Sequence, residues 1–187
     1  STTLDQPFIT YNGAICEGEQ LVLSTLQLSG RAVNYEWLGP DSTSTTKGDY
    51  PNSPFLIIDQ VTAANSGGYQ VIISVDSCQT LTSAVVAVTI DTIPEFSISN
   101  SGIECVLANA DIQLFATPTD TNTRYTYEWS GPNNFFSTAQ NPVLPNAQNA
   151  LAGTYTVTVS NGGGCQASQS TVLDISNLPN RPIISSN

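Results

Sequence analysis

The chain of 187 residues carries 15 acidic side chains against four basic ones and no histidine, a formal net charge of -11. Lys47, Arg31, Arg124 and Arg181 are too few to neutralise a run of phosphates or to hold an anionic membrane surface, and the missing histidines remove His-based triads, bases and metal ligands. Forty per cent apolar and only 10% charged residues describe a folded globular chain, and no apolar run reaches the ~20 residues of a membrane span. The first residues do not read as a secretory leader, so an export signal is expected to be cleaved or to lie outside this sequence.

In chain order, short runs rich in Val, Ile, Thr and Tyr alternate with Gly, Pro, Asn and Ser clusters, which predicts an all-β chain. Strands are expected near 7–11 (A), 19–28 (B), 32–38 (C), 55–60 (E), 68–75 (F) and 79–90 (G). Period-2 alternation turns Leu21 and Leu23, then Val33, Tyr35 and Trp37, then Tyr69, Val71 and Ile73, then Val86, Val88 and Ile90 to one side of their strands. A second set follows near 94–99, 110–117, 124–130, 142–145, 153–160 and 166–175. Its inward residues are Ile112, Leu114, Tyr125, Tyr127, Trp129, Tyr155, Val157, Val159, Leu173 and Ile175.

The second set copies the first. Tyr35-Glu36-Trp37-Leu38-Gly39-Pro40 returns as Tyr127-Glu128-Trp129-Ser130-Gly131-Pro132, and Gly68-Tyr69-Gln70-Val71 as Thr154-Tyr155-Thr156-Val157. Cys16 maps onto Cys105 and Cys78 onto Cys165, all four landmarks shifting by about 90 residues in the same order. Pro7, Pro94 and Pro182 recur at the same interval. We therefore expect domains at 1–91 and 92–178, with 179–187 starting a truncated third repeat or a linker. Two sets of inward faces per copy make two tandem β-sandwiches arranged head to tail.

A Trp on strand C and a Gly-x-Tyr opening strand F resemble the immunoglobulin-like sandwich with its tyrosine corner. Cys-x-Gly-x-x-Leu, then Tyr-x-Trp-x-Gly-Pro, then Gly-x-Tyr-x-Val and a late Cys are similar to bacterial Ig-like and PKD-like tandem repeats. That resemblance implies a large secreted cell-surface adhesin of the kind exported by the type IX route. The chain departs from antibody domains at Val71 and Val157, where their second Cys would stand, and from PKD domains in lacking Gly-Asp-Gly after the Trp. On this resemblance Trp37, Tyr69, Trp129 and Tyr155 are core markers.

Four cysteines, two per repeat, suggest disulfides, since neither Cys-x-x-Cys spacing nor histidine supports zinc. Pairing within each repeat would join Cys16 to Cys78 and Cys105 to Cys165. The sandwich places Cys16 just before B and Cys78 just after F, at opposite ends of parallel-running strands about 26 Å long, whereas a disulfide needs Cα atoms within about 7 Å. A Cys16–Cys165 bridge across the domain junction is slightly preferred, with Cys78 and Cys105 reserved for neighbouring repeats. Both pairings stay open. The short Asp91-Thr92-Ile93-Pro94 link is expected to be stiff.

Phe135 and Phe136 are candidate ligand contacts, because neighbours on a strand point opposite ways; the plainer expectation packs one on the core and the other on the sheet rim. The tryptophans are expected in the core rather than as sugar platforms. Glu17, Glu19, Asp91 and Glu95 would suit calcium if gathered, although their spacing matches no calcium loop and surface charge is the simpler reading. Asp41-Ser42-Thr43 and Asp91-Thr92-Ile93 resemble a short O-glycosylation signal, while an isopeptide crosslink is excluded, because Lys47, the one lysine it could use, lies in a polar loop. No catalytic residue, metal ligand or cofactor is expected. The sequence reads as a stalk or filament segment that spaces a binding tip at the bacterial surface. The alternative is a glycan- or protein-binding accessory module working through its 130–150 loops. Expected partners are neighbouring repeats, other copies in a filament, or a surface glycan or protein.

Overall fold

The structure, a computed structural model, describes residues 5–28, 32–40, 52–75, 79–102, 111–146 and 151–175. The chain divides into one unit of Ser1–Ile93 with Gly163–Cys165, and a second of Pro94–Gly162 with Gln166–Asn187. The expected third repeat at 179–187, with Cys78, Cys105, Lys47 and Asp41-Ser42-Thr43, lies outside the described residues.

In the first unit, β1 (Thr10–Tyr11), β3 (Leu21–Ser24) and β5 (Phe55–Ile58) form one antiparallel sheet. β4 (Val33–Leu38), β6 (Gly67–Val75), β7 (Gln79–Thr82) and β8 (Val86–Val88) form the other. Alternation drives the layering: Leu21, Leu23 and Leu56 face Tyr35, Trp37, Tyr69, Val71 and Ile73 across one buried core. Burying each such side chain contributes about 1.5–3 kcal/mol. Asn12 extends β1 by side chain alone, its Oδ1 accepting from Val22 N at 2.9 Å and its Nδ2 donating to Gln20 O at 2.8 Å.

The second unit repeats the plan. β10 (Phe96–Asn100), β11 (Ile112–Pro118) and β14 (Val143–Leu144) face β12 (Thr126–Gly131), β13 (Phe135–Ser137), β15 (Gly153–Ser160) and β16 (Gln166–Leu173). Ile112, Leu114, Ala116 and Leu144 meet Trp129, Tyr155, Val157, Val159 and Leu173 in its core. Side chains tie the sheets at their rims: Gln169 donates to Phe96 O at 2.7 Å, and Asn100 to Thr171 Oγ1 at 3.0 Å. Among the described residues every buried side-chain N or O has a hydrogen-bond partner.

Three elements differ from the expected strands. β2 (Ile15–Cys16) and β9 (Ile90–Asp91), a pair beyond the expected strand A, run parallel, Ile15 opposite Ile90 and Cys16 opposite Asp91. β13 adds an edge strand that reads as loop because two phenylalanines alone give no period. The first unit's strand G is not one run over 79–90: pairing passes from Ile72–Thr82 to Tyr69–Val86, one residue more on the G side. That extra residue is a β-bulge.

Candidate functional site

Trp37 and Trp129 are buried at matching positions, and each indole N–H donates to a loop carbonyl, Ser53 O at 3.2 Å and Gln140 O at 3.3 Å. Neither presents a ring face to a ligand. Tyr69 and Tyr155 are buried too, and both hydroxyls donate to a carbonyl four residues back, Asn65 O and Leu151 O, at 2.8 Å. Burial raises both phenols above their ordinary value, since the charged phenolate would be poorly solvated.

The repeated Gly-Pro and Gly-x-Tyr motifs meet in space. Gly67 and Gly153 both adopt φ +142°, and a Cβ on either would sit 2.7 Å from a carbon of Pro40 or Pro132. The proline after strand C thus packs on the glycine that opens strand F, a position closed to any side chain.

Around Cys16 the chain makes a tight turn with Gly18 at φ +83°. Glu17 N donates to Asp91 O at 2.9 Å, Gly18 N to Val61 O at 2.8 Å, and Val61 N to Glu19 O at 3.0 Å. The two glutamates complete the turn: Glu19 Oε2 accepts from Cys16 N at 2.9 Å and Glu17 Oε1 from Ala63 N at 3.0 Å. These carboxylates cap backbone N–H groups. Among the described residues no three His, Cys, Asp or Glu side chains gather as a metal site requires.

Cys16 is bonded to Cys165, with Cα atoms 5.7 Å apart at a sequence separation of 149. Pairing of Cys16 with Cys78, and of Cys165 with Cys105, is therefore not what forms. Cys165 is 1% exposed, its sulfur 3.7 Å from Asp91 O. Gly163 beside it lies so close to the Asp91 carboxylate that a Cβ would collide.

Phe135 and Phe136 part company as neighbours on a strand must. Phe135 turns in, edge-on to Tyr155 with ring centroids 5.4 Å apart. Gly131, opposite it, leaves room for that tyrosine ring: an added Cβ would press on it. Phe136 is 61% exposed. It heads a cross-strand row of Ser130, Thr156 and Ser170, in which the last two hydroxyls are 2.8 Å apart.

No protein-family model matches the chain, and no curated protein does. Solved structures do. The first eight Ig domains of Down Syndrome Cell Adhesion Molecule match 90% of this chain and 27% of theirs, at TM-score 0.65 and 15% identity. Extracellular domains 3–5 of Drosophila OTK match 91% and 60%, at TM-score 0.60 and 13% identity. The I-band fragment I67–I69 of titin matches 94% and 67%, at TM-score 0.50 and 15% identity. Both units are immunoglobulin-like β-sandwiches. The chain spans less than two thirds of the DSCAM and OTK chains, and at these identities the likeness is one of fold.

Sequence reasoning missed Ser83, the one buried polar residue among those described. Its Oγ accepts from Val71 N at 3.0 Å and donates to Ala84 O at 2.8 Å, standing in for main chain at the bulge. The available signal was the broken alternation at Ser83-Ala84-Val85. Glu17 and Glu19 were noticed as charges, whereas their spacing around Gly18 marked a capped turn.

Proposed function

We propose that this chain is a spacer: two repeats of a tandem immunoglobulin-like array in a secreted bacterial surface protein, extending an adhesive tip from the cell. The observation that carries this reading is that one chain builds the same interior twice, down to the Gly–Pro contact and the tyrosine corner, under unlike exteriors. Selection for a repeated interior and a free exterior suits a part whose work is shape. The matched structures support it, since one is named a cell adhesion molecule and another comprises extracellular domains. Net charge of -11 opposes self-association along a long polymer. Cys78 and Cys105 would make the corresponding bridges to the repeats before and after. In small-angle scattering, the maximum dimension should grow in proportion as native repeats are added to this pair. A dimension that rises only with the cube root of mass would overturn the spacer.

A second reading has its own observation. The exposed Phe136 offers an aromatic face to a glycan or protein, as an accessory module would require. A glycan-array or pull-down signal abolished by Phe136→Ala, in a chain that still melts normally, would favour recognition over spacing.

A further inference from the structure

The bridge between Cys16 and Cys165 has a mechanical consequence set by chain connectivity. Tension applied between the two ends of this chain runs along residues 1–16, crosses the sulfur–sulfur bond and leaves along 165–187. Residues 17–164 hang from that path as a closed side loop. Nearly all of both cores lies in the loop: of the buried apolar residues, only Ile9, Ile15, Cys165, Leu173 and Ile175 stand on the loaded stretches. Both tryptophans, both corner tyrosines and every strand from β3 to β15 are off the path. The strands on the loaded stretches are β1 and β2, held by two residue pairs each, and β16, held by eight.

We propose that the Cys16–Cys165 bridge is a redox-gated extension stop that keeps tensile load off residues 17–164, which hold most of both cores, and conceals most of the chain's length until it is reduced. Its biological use rests on the spacer reading; its mechanics rest on the bond. Opening the stop takes two electrons and two protons. A dithiol reductant supplies them, becoming its own disulfide as the bridge becomes two thiols. With the bridge closed, the releasable contour is that of the loaded stretches, roughly 130 Å; opening it adds roughly 500 Å, about a fivefold gain in total, at ~3.4 Å per residue.

The test pulls the intact 187-residue chain by its ends, at a force that fully extends the Cys16→Ser/Cys165→Ser double variant. Under non-reducing conditions the wild-type trace should stop near the short length, and adding dithiothreitol under load should release the remainder. Full extension without reductant, in protein whose non-reducing peptide map shows the Cys16–Cys165 pair, would overturn the stop. So would a short length that reductant does not change. Should the double variant fold poorly, the wild-type chain before and after reductant decides alone. The outcome is separate from the scattering test: a chain can carry the stop without being a spacer, or be a spacer without it.

Discussion

β6 and β15 hold the same place in their units, yet their partners differ. β15 pairs with β16 over eight consecutive residues from Gly153–Leu173 to Ser160–Gln166. β6 meets two short strands, with a bulge between them at Ser83–Val85. The outer faces diverge as well. In the second unit the rows read Ser130–Thr156–Ser170, Glu128–Thr158–Ser168 and Thr126–Ser160–Gln166, an almost unbroken lattice of hydroxyls. The first unit shows Leu38–Gln70, Glu36–Ile72–Thr82 and Asn34–Ser74–Thr80 instead. Inside, both units keep the buried Trp, the corner Tyr and the Gly–Pro contact. Packing constrains the interior because a core near crystalline density registers single methylenes, while solvent accepts any polar residue outside.

The comparison breaks most visibly at the two glycines. Gly67→Ala and Gly153→Ala each force φ +142° on a residue with a Cβ and push that Cβ into a proline ring. Each should cost its own unit about 3 kcal/mol, from backbone strain plus overpacking. Every unit holds one tryptophan, so Trp37→Phe and Trp129→Phe backgrounds let denaturant melts read one unit at a time. Equal losses support a single interior built twice. Losses differing by more than about 1.5 kcal/mol would mean that the interiors only look alike.

Those glycines also mark what the sequence made legible. Trp, Tyr, Gly and Pro repeat because each does something no other residue can, so their recurrence exposed the strands, the two units and the core. Cys16 and Cys165 were within reach by topology, since strand direction bars a bond along the length of a sandwich. The β2–β9 pairing was not, because two residues carry no period. Nor was the bulge, since Ser83 resembles any surface serine until Val71 N is seen to depend on it. Phe135 and Phe136 told that one ring would point in; which one was settled by the room Gly131 leaves for Tyr155.

Ser83→Ala tests the asymmetry directly. It strips the acceptor from Val71 N in a buried bulge and should cost the first unit about 2 kcal/mol, the penalty for an orphaned buried donor. The continuous β15–β16 ladder has no such dependence, and the second unit's melt should not move. A Ser83→Ala chain as stable as wild type would show that the bulge holds through its flanking strands alone.

Tyr69→Phe and Tyr155→Phe should each cost about 1–2 kcal/mol, since the Asn65 or Leu151 carbonyl loses its partner. Alkaline pH probes the same residues. Their folded-state pKa values lie above the ordinary phenol near 10, so the unfolded chain gives up its protons first. Stability from these tyrosines is complete below pH 10 and is lost as pH rises through the folded values. Each Phe variant should flatten that alkaline fall in its own unit. A fall of unchanged slope would assign it to other groups, Tyr127 among them, whose phenol burial also raises, helped by the neighbouring charge of Tyr125.

The smallest effect sharpens the comparison on the outside. Phe136→Ala removes a ring that water already covers on most sides and should shift the second unit's stability by less than about 0.5 kcal/mol. Phe135→Ala, one residue away, removes the edge contact with Tyr155 and should cost about 1–2 kcal/mol. The ratio matters more than either number. If Phe136 is held in place only by the strand it rides on, it is free to be spent on a partner. If its loss destabilises the unit as much as the loss of Phe135, the rim ring is structural, and the hydroxyl rows beside it are a solvated surface like any other.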